Sequence, residues 1–199
     1  MQTKKGFTLL ELLIVIGILA ILSTTIILVI NPAQLLKRAR DSQRISDLNT
    51  MKTAIAYYVT EATTPNIGNA TSSYSLIAST TCAGRTPATG TQAATIAGWI
   101  PIAFNDLTGG SPIGNLPRDP KQSAVDDIPS LYYVYLVGST TNYTFKLIAN
   151  MESDIYTSGG GSSDVESTDG GVISALYEVG TAMAIVATSA AGCYPSPGV

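Results

Sequence analysis

Residues 7–30 form one predominantly apolar run, FTLLELLIVIGILAILSTTIILVI, whose only charge is Glu11. As a helix such a run reaches roughly 36 Å, enough to cross the hydrocarbon core of a bilayer. A cleavable secretory signal has a shorter apolar core followed by a small-residue cleavage site; this run has neither, so no cut behind it is expected. Carrying the carboxylate toward the bilayer centre costs up to about 3 kcal/mol. A chain that keeps both features must anchor itself by this segment and give Glu11 a partner.

The rest of the 199 residues is rich in Thr, Ser, Gly, Ala and Tyr, a composition of sheet and loops. Histidine is absent, which excludes His-based triads, His general bases and zinc sites with His ligands. A net charge of −3 argues against a nucleic-acid binder that works through a whole-surface basic field. Cys82 and Cys193 lie far apart and lack CxxC spacing. Outside the cytoplasm they are expected to pair as a disulfide tying the C-terminal tail to the middle of the chain; two buried thiols are the alternative. Lys4 and Lys5 precede the span while Lys37, Arg38, Arg40 and Arg44 follow it, so a positive-inside count puts the C-terminal side in the cytoplasm. The composition of the body and its paired cysteines argue the opposite, and an exterior head is the expectation adopted.

The octapeptide Lys4-Lys5-Gly6-Phe7-Thr8-Leu9-Leu10-Glu11, followed by the apolar run, resembles the class III signal of type IV pilins and type II secretion pseudopilins. The resemblance implies a basic leader, residues 1–6, cut by a membrane prepilin peptidase between Gly6 and Phe7. It also implies methylation of the new terminal Phe7 and a role in assembly for Glu11. A physical argument stands beside it. Cleavage frees an amine on Phe7, four residues before Glu11, and in low dielectric each charge needs the other. The pair can close on one helix, or set the register of an incoming subunit against its neighbour. A snorkelling acid on a plain signal anchor is the alternative reading of Glu11.

Asn31-Pro32 is expected to break or kink the helix, with Gly17 a second weak point. Beyond it, Leu48, Met51, Ile55, Tyr58 and Ala62 recur at spacings of three and four, with Leu36, Ile45 and Val59 nearby; this stripe predicts a helix packed under a sheet. Lys37, Arg38, Arg40, Asp41, Arg44, Asp47 and Lys52 are placed on the opposite face, solvated or in contact with lipid headgroups or other subunits.

Residues 63–99 show no strong period and read as a long loop with one short element around residues 74–77. Asn69 and Asn142 each begin an Asn-x-Thr sequon, a pattern common by chance. Pro101, Pro112, Pro117 and Pro120 forbid a continuous element after it. LYYVYLV (131–137) and NYTFKLIAN (142–150) read as an antiparallel hairpin, and residues 175–186 as a closing strand. The order of LP-x-DP, a Tyr-rich strand and Y-x-F-K-L is similar to the head of major pseudopilins and related pilins. Asp164, Glu166 and Asp169 lie in a Gly/Ser-rich stretch that the resemblance makes a weak calcium candidate, but EF-hand spacing is missing. A solvated acidic loop with no cofactor is the expectation.

The expected fold is α+β: a leader (1–6), a transmembrane helix that becomes a filament core (7–30), an amphipathic half-helix (31–62), and a β-rich head (63–199) with an antiparallel sheet. The expected function is that of a structural, non-enzymatic subunit of a type IV pilus, with a pseudopilin of a secretion or DNA-uptake system as the alternative. The partners implied are further copies in a helical filament, the membrane, prepilin peptidase, and an assembly platform with its ATPase; no nucleic acid is implied. An unprocessed membrane-anchored binding protein is a third reading. An anchored enzyme finds support only in the carboxylates of the acidic loop.

Overall fold

The structure, a computed structural model, describes residues 6–76, 86–122 and 131–185. It divides into two compact units, residues 1–36 and residues 37–199.

In the first unit, helix α1 runs over Leu9–Ile30 and ends at Asn31, which takes the left-handed conformation with φ 45°. Pro32 then opens α2, Pro32–Glu61, so the predicted break falls at Asn31-Pro32. Proline supplies no N–H and suits a first helical turn, which explains why the chain restarts as a helix at this residue. Gly17 is not a second break: α1 continues through it, because one glycine in a long helix costs only about 1 kcal/mol relative to alanine. The hydroxyls of Ser23, Thr24 and Thr25 bond back to the carbonyls of Leu19, Ala20 and Ile21 at 2.7, 2.9 and 3.1 Å. Their polarity is thereby absorbed by the helix itself.

In the second unit, α2 from residue 37 onward forms a core with a five-stranded sheet of order β2-β1-β3-β4-β5. The strands are Ser72–Ser75 (β1), Thr86–Thr89 (β2), Val134–Ser139 (β3), Thr144–Ala149 (β4) and Tyr177–Gly180 (β5). Every pairing is antiparallel except β1 with β2. The hairpin read from the sequence is present as β3 and β4, pairing Tyr135 with Leu147 and Val137 with Phe145. The closing strand is shorter than expected, and the one element foreseen in the long loop is joined by a second, β2. Four-residue strands carry too little sequence to show a period.

Side chains alternate across the sheet as a pleat requires. Tyr133, Tyr135, Val137, Phe145, Leu147 and Ala149 share one core with Leu48, Met51, Ala54, Ile55 and Tyr58 of α2. Tyr132, Val134, Leu136 and Ile148 form a second cluster with Leu176, Ile173 and Ile185. The predicted stripe is therefore buried, Ile45, Val59 and Ala62 pack at its edge, and Leu36 departs from it, remaining exposed. Each fully buried apolar side chain contributes about 1.5–3 kcal/mol. The Pro-rich segment holds only a short 3-10 turn, Phe104–Asp106, and is fixed by Trp99, whose indole N–H donates to the Pro117 carbonyl at 3.0 Å.

The charged face expected on α2 is not uniformly solvated. Asp41 and Arg44 are wholly buried. Arg44 donates to Asp41 at 2.6 Å, to both oxygens of Asp119 at 2.7 and 2.8 Å, and to Glu152 at 2.7 Å. Asp41 in turn accepts the backbone N–H groups of Glu152 and Ser153 at 3.0 and 2.8 Å. Arg40 grips Glu152 through two further bonds at 2.9 and 2.8 Å, and Lys121 stands 3.4 Å from it. Burial is tolerated because the fork of Arg44 is filled with carboxylate oxygens. The network joins α2 to the segment before β3 and the segment after β4.

Candidate functional site

Gly6 and Phe7 precede α1 in a non-helical stretch, and Phe7 is 90% exposed. Gly6 has no neighbouring atom within 4 Å of the position a Cβ would occupy. Thr8 is the N-cap of α1, extended at φ −78° and ψ 152°. Its hydroxyl accepts from the Glu11 amide at 3.2 Å. Its own amide and hydroxyl both donate to Glu11 Oε2 at 2.9 Å, which closes a capping box. The box satisfies N–H groups that a helix start leaves unpaired, and a carboxylate in the first turn also suits the helix dipole.

Glu11 thus has a structural role in the uncut chain: it starts the helix at Thr8 and leaves the Gly6-Phe7 bond outside it. The amide it holds belongs to the residue after Phe7, so the same carboxylate lies one residue from the amine that cleavage would create. Thr8 is the residue the sequence reading passed over. Thr followed three positions later by Glu before an apolar run was the available signal. Lys4 and Lys5 lie outside the described residues.

The helix behind this cap holds an apolar window, Leu9–Ile26, with mean hydropathy 2.5 and no buried residue. Residues 1–27 match the family described as the prokaryotic N-terminal methylation motif. This is the class III signal of type IV pilins and pseudopilins, and the chain carries it. The chain matches no curated protein and no solved structure. The signal marks a pilin-like or pseudopilin chain and implies processing by prepilin peptidase and assembly in a membrane system. Together with the apolar helix it points to a single-pass, membrane-anchored protein of structural rather than enzymatic kind.

The acidic segment of the head is not a solvated loop. Asp164 and Glu166 are buried, and their oxygens are occupied by the loop's own donors. Asp164 accepts from the amides of Gly159 and Ser167 at 2.9 and 3.0 Å and from the Ser167 hydroxyl at 2.6 Å. Glu166 accepts from the amides of Met151 and Ser158 at 3.1 and 2.8 Å. Asp169 accepts from the Gly171 amide at 2.7 Å and from that of Glu178. Burial pushes the Glu166 and Asp169 carboxyls above their ordinary range, while bonds from Ser167 hold Asp164 below its own. The carboxylates act here as caps for backbone that a Gly/Ser-rich loop would otherwise leave unpaired. Among the described residues no group of three or more His, Cys, Asp or Glu side chains is placed to hold a metal ion. Cys82 and Cys193 lie outside the described residues.

Proposed function

We propose that the chain is the structural subunit of a type IV pilus. Prepilin peptidase cuts it between Gly6 and Phe7, Phe7 is methylated, and the mature protein polymerises through its N-terminal helix with the head outside the cytoplasm. The observation that carries this reading is a fully exposed apolar helix that begins directly behind the methylation motif with a carboxylate in its first turn. Such a helix is at home in lipid first and among other copies of itself afterwards. Packing between like helices replaces lipid contacts, and a Phe7 amine meeting Glu11 removes the cost of two unpaired charges. Extraction from the bilayer needs work, which an assembly platform and its ATPase supply. The long Thr-rich stretch of the head suits an exposed filament surface, which favours a pilus over a short secretion pseudopilus. No cofactor is required, and calcium has no assigned part.

The test is mass spectrometry of the protein from its own cells, combined with imaging by an antibody to the head. A chain that begins at methylated Phe7 and long labelled filaments are expected. Mature Phe7 chains with no surface filaments would move the protein to the pseudopilins, and a retained leader would make it an unprocessed anchored protein. Glu11→Ala is expected to abolish filaments; normal filaments from that variant would overturn the role given to Glu11.

A further inference from the structure

One side of α2 forms a groove with residues 109–113, enclosing about 640 Å³. None of the residues that line it is charged, although α2 as a whole is rich in charge. Its helical wall consists of two rows at spacing four, Ser46-Thr50-Ala54 and Asn49-Thr53-Tyr57. Rows of this kind are the ridges between which a second helix packs.

The polar atoms of this wall are already occupied. The Thr50 and Thr53 hydroxyls donate to the carbonyls of Ser46 and Asn49 at 2.8 and 2.9 Å, and the Asn49 amide donates to Ile45 at 2.8 Å. With the hydroxyls turned back on the helix, the groove offers methyl groups, the Tyr57 ring and small side chains. That surface suits an apolar occupant and offers little to a sugar or a charged peptide.

We propose that this groove receives the apolar helix α1 of a second copy of the chain. The inference rests on the filament reading and names the surface that reading leaves open. Helix α1 fits in three respects. Beyond Glu11 it carries no charge, matching an uncharged groove. Its own hydroxyls, at Ser23, Thr24 and Thr25, are likewise turned back onto carbonyls. At Gly17 and Ala20 it is narrow, and the Gly17 side is open, so a partner can approach closely. Groove and helix are different surfaces of one chain, so the contact is heterologous and repeats into an open helical array rather than a closed dimer.

A photo-crosslinking residue in place of Thr53, in the full-length chain expressed with its assembly machinery, tests the contact. The expected result is a covalent dimer whose linked peptide lies within residues 9–30 of the second copy, formed only when filaments form. Filaments whose crosslinks map to another head surface, to lipid or nowhere would overturn the groove assignment and leave the filament reading standing. Failure of the unmodified chain to polymerise would overturn both. In addition, Thr53→Arg places a charge on an exposed position of the groove. It is expected to cut filament yield about tenfold or more while leaving Trp99 emission and head melting unchanged. Thr53→Ser is expected to assemble normally, and unchanged yield with Thr53→Arg would count against the proposal.

Discussion

Between Leu9 and Ile26, helix α1 keeps its large apolar side chains half or more exposed, while α2 beyond residue 40 buries both apolar and charged groups inside the head. The difference lies in what each sequence is complementary to. The head completes its contacts within itself, down to the guanidinium of Arg44 enclosed by three carboxylates. Helix α1 satisfies only its backbone, through the Thr8–Glu11 box and the back-bonded hydroxyls, and leaves its apolar surface for an environment the chain does not contain. A helix of that kind encodes an address and then an interface; the head encodes a fold.

If the comparison holds, the head is most vulnerable at its buried charges. Arg44→Ala leaves Asp41, Asp119 and Glu152 without their common cation and should destabilise the head by about 3–5 kcal/mol. Trp99, the single tryptophan and fully buried in the head, reports the loss as a shift in its unfolding transition in detergent. A change below about 1 kcal/mol would show that the network is not held as described.

The same deletion made in the two regions sharpens the contrast. Ile55→Ala, in the core, is expected to cost about 2–5 kcal/mol by transfer and cavity terms. Leu19→Ala, on α1, is expected to change the head's unfolding by less than about 0.5 kcal/mol, because nothing in the head is lost with it. Equal costs would erase the distinction between the regions.

Acid provides a milder probe. Burial pushes the Glu152 carboxyl up, but hydrogen bonds and charge from Arg40 and Arg44 overcome it and hold it at about 2. A carboxyl lower in the folded state than its ordinary 4.5 adds stability above that value and loses it as pH falls toward 2. Asp164, held low by Ser167, acts in the same direction. Burial raises Asp47, Glu166 and Asp169, which take up protons earlier and gain rather than lose stability as they do. The head should therefore hold its stability down to about pH 4.5 and weaken between there and about pH 2, measured by Trp99 emission. Loss of stability that begins above pH 5 would point to a different group.

How far the sequence could be read differs between the same two regions. Membrane segments declare themselves by composition, so the apolar run, the break at Asn31-Pro32 and the motif around Glu11 were all legible. In the head, the stripe from Leu48 to Tyr58 and the β3–β4 hairpin carried clear periods, whereas β2 did not. The buried charges were misplaced although the spacing was available: Asp41 and Arg44 continue the series Leu48, Met51, Ile55, Tyr58 at steps of three and four. Residue type was weighed above position, and the partners Asp119 and Glu152 are too distant in sequence for a local pattern to announce them. The acidic loop was misread for the same reason, because carboxylates that cap backbone look in sequence like carboxylates facing water.

That loop gives the smallest expected effect, and its value lies in being near zero. Asp164 and Glu166 already receive several N–H or O–H donors, and a calcium ion would have to displace them to coordinate the same oxygens. A donor-filled carboxylate offers a cation little gain, since the bonds given up are themselves charge-assisted. Excess calcium or a chelator should therefore leave the head's melting temperature unchanged, and Asp169→Asn should do no more than remove part of the cap on the Gly171 and Glu178 amides. A rise in melting temperature that tracks calcium concentration would instead mean that the loop can reorganise around an ion, and that its self-capped form is the ion-free member of a pair of states.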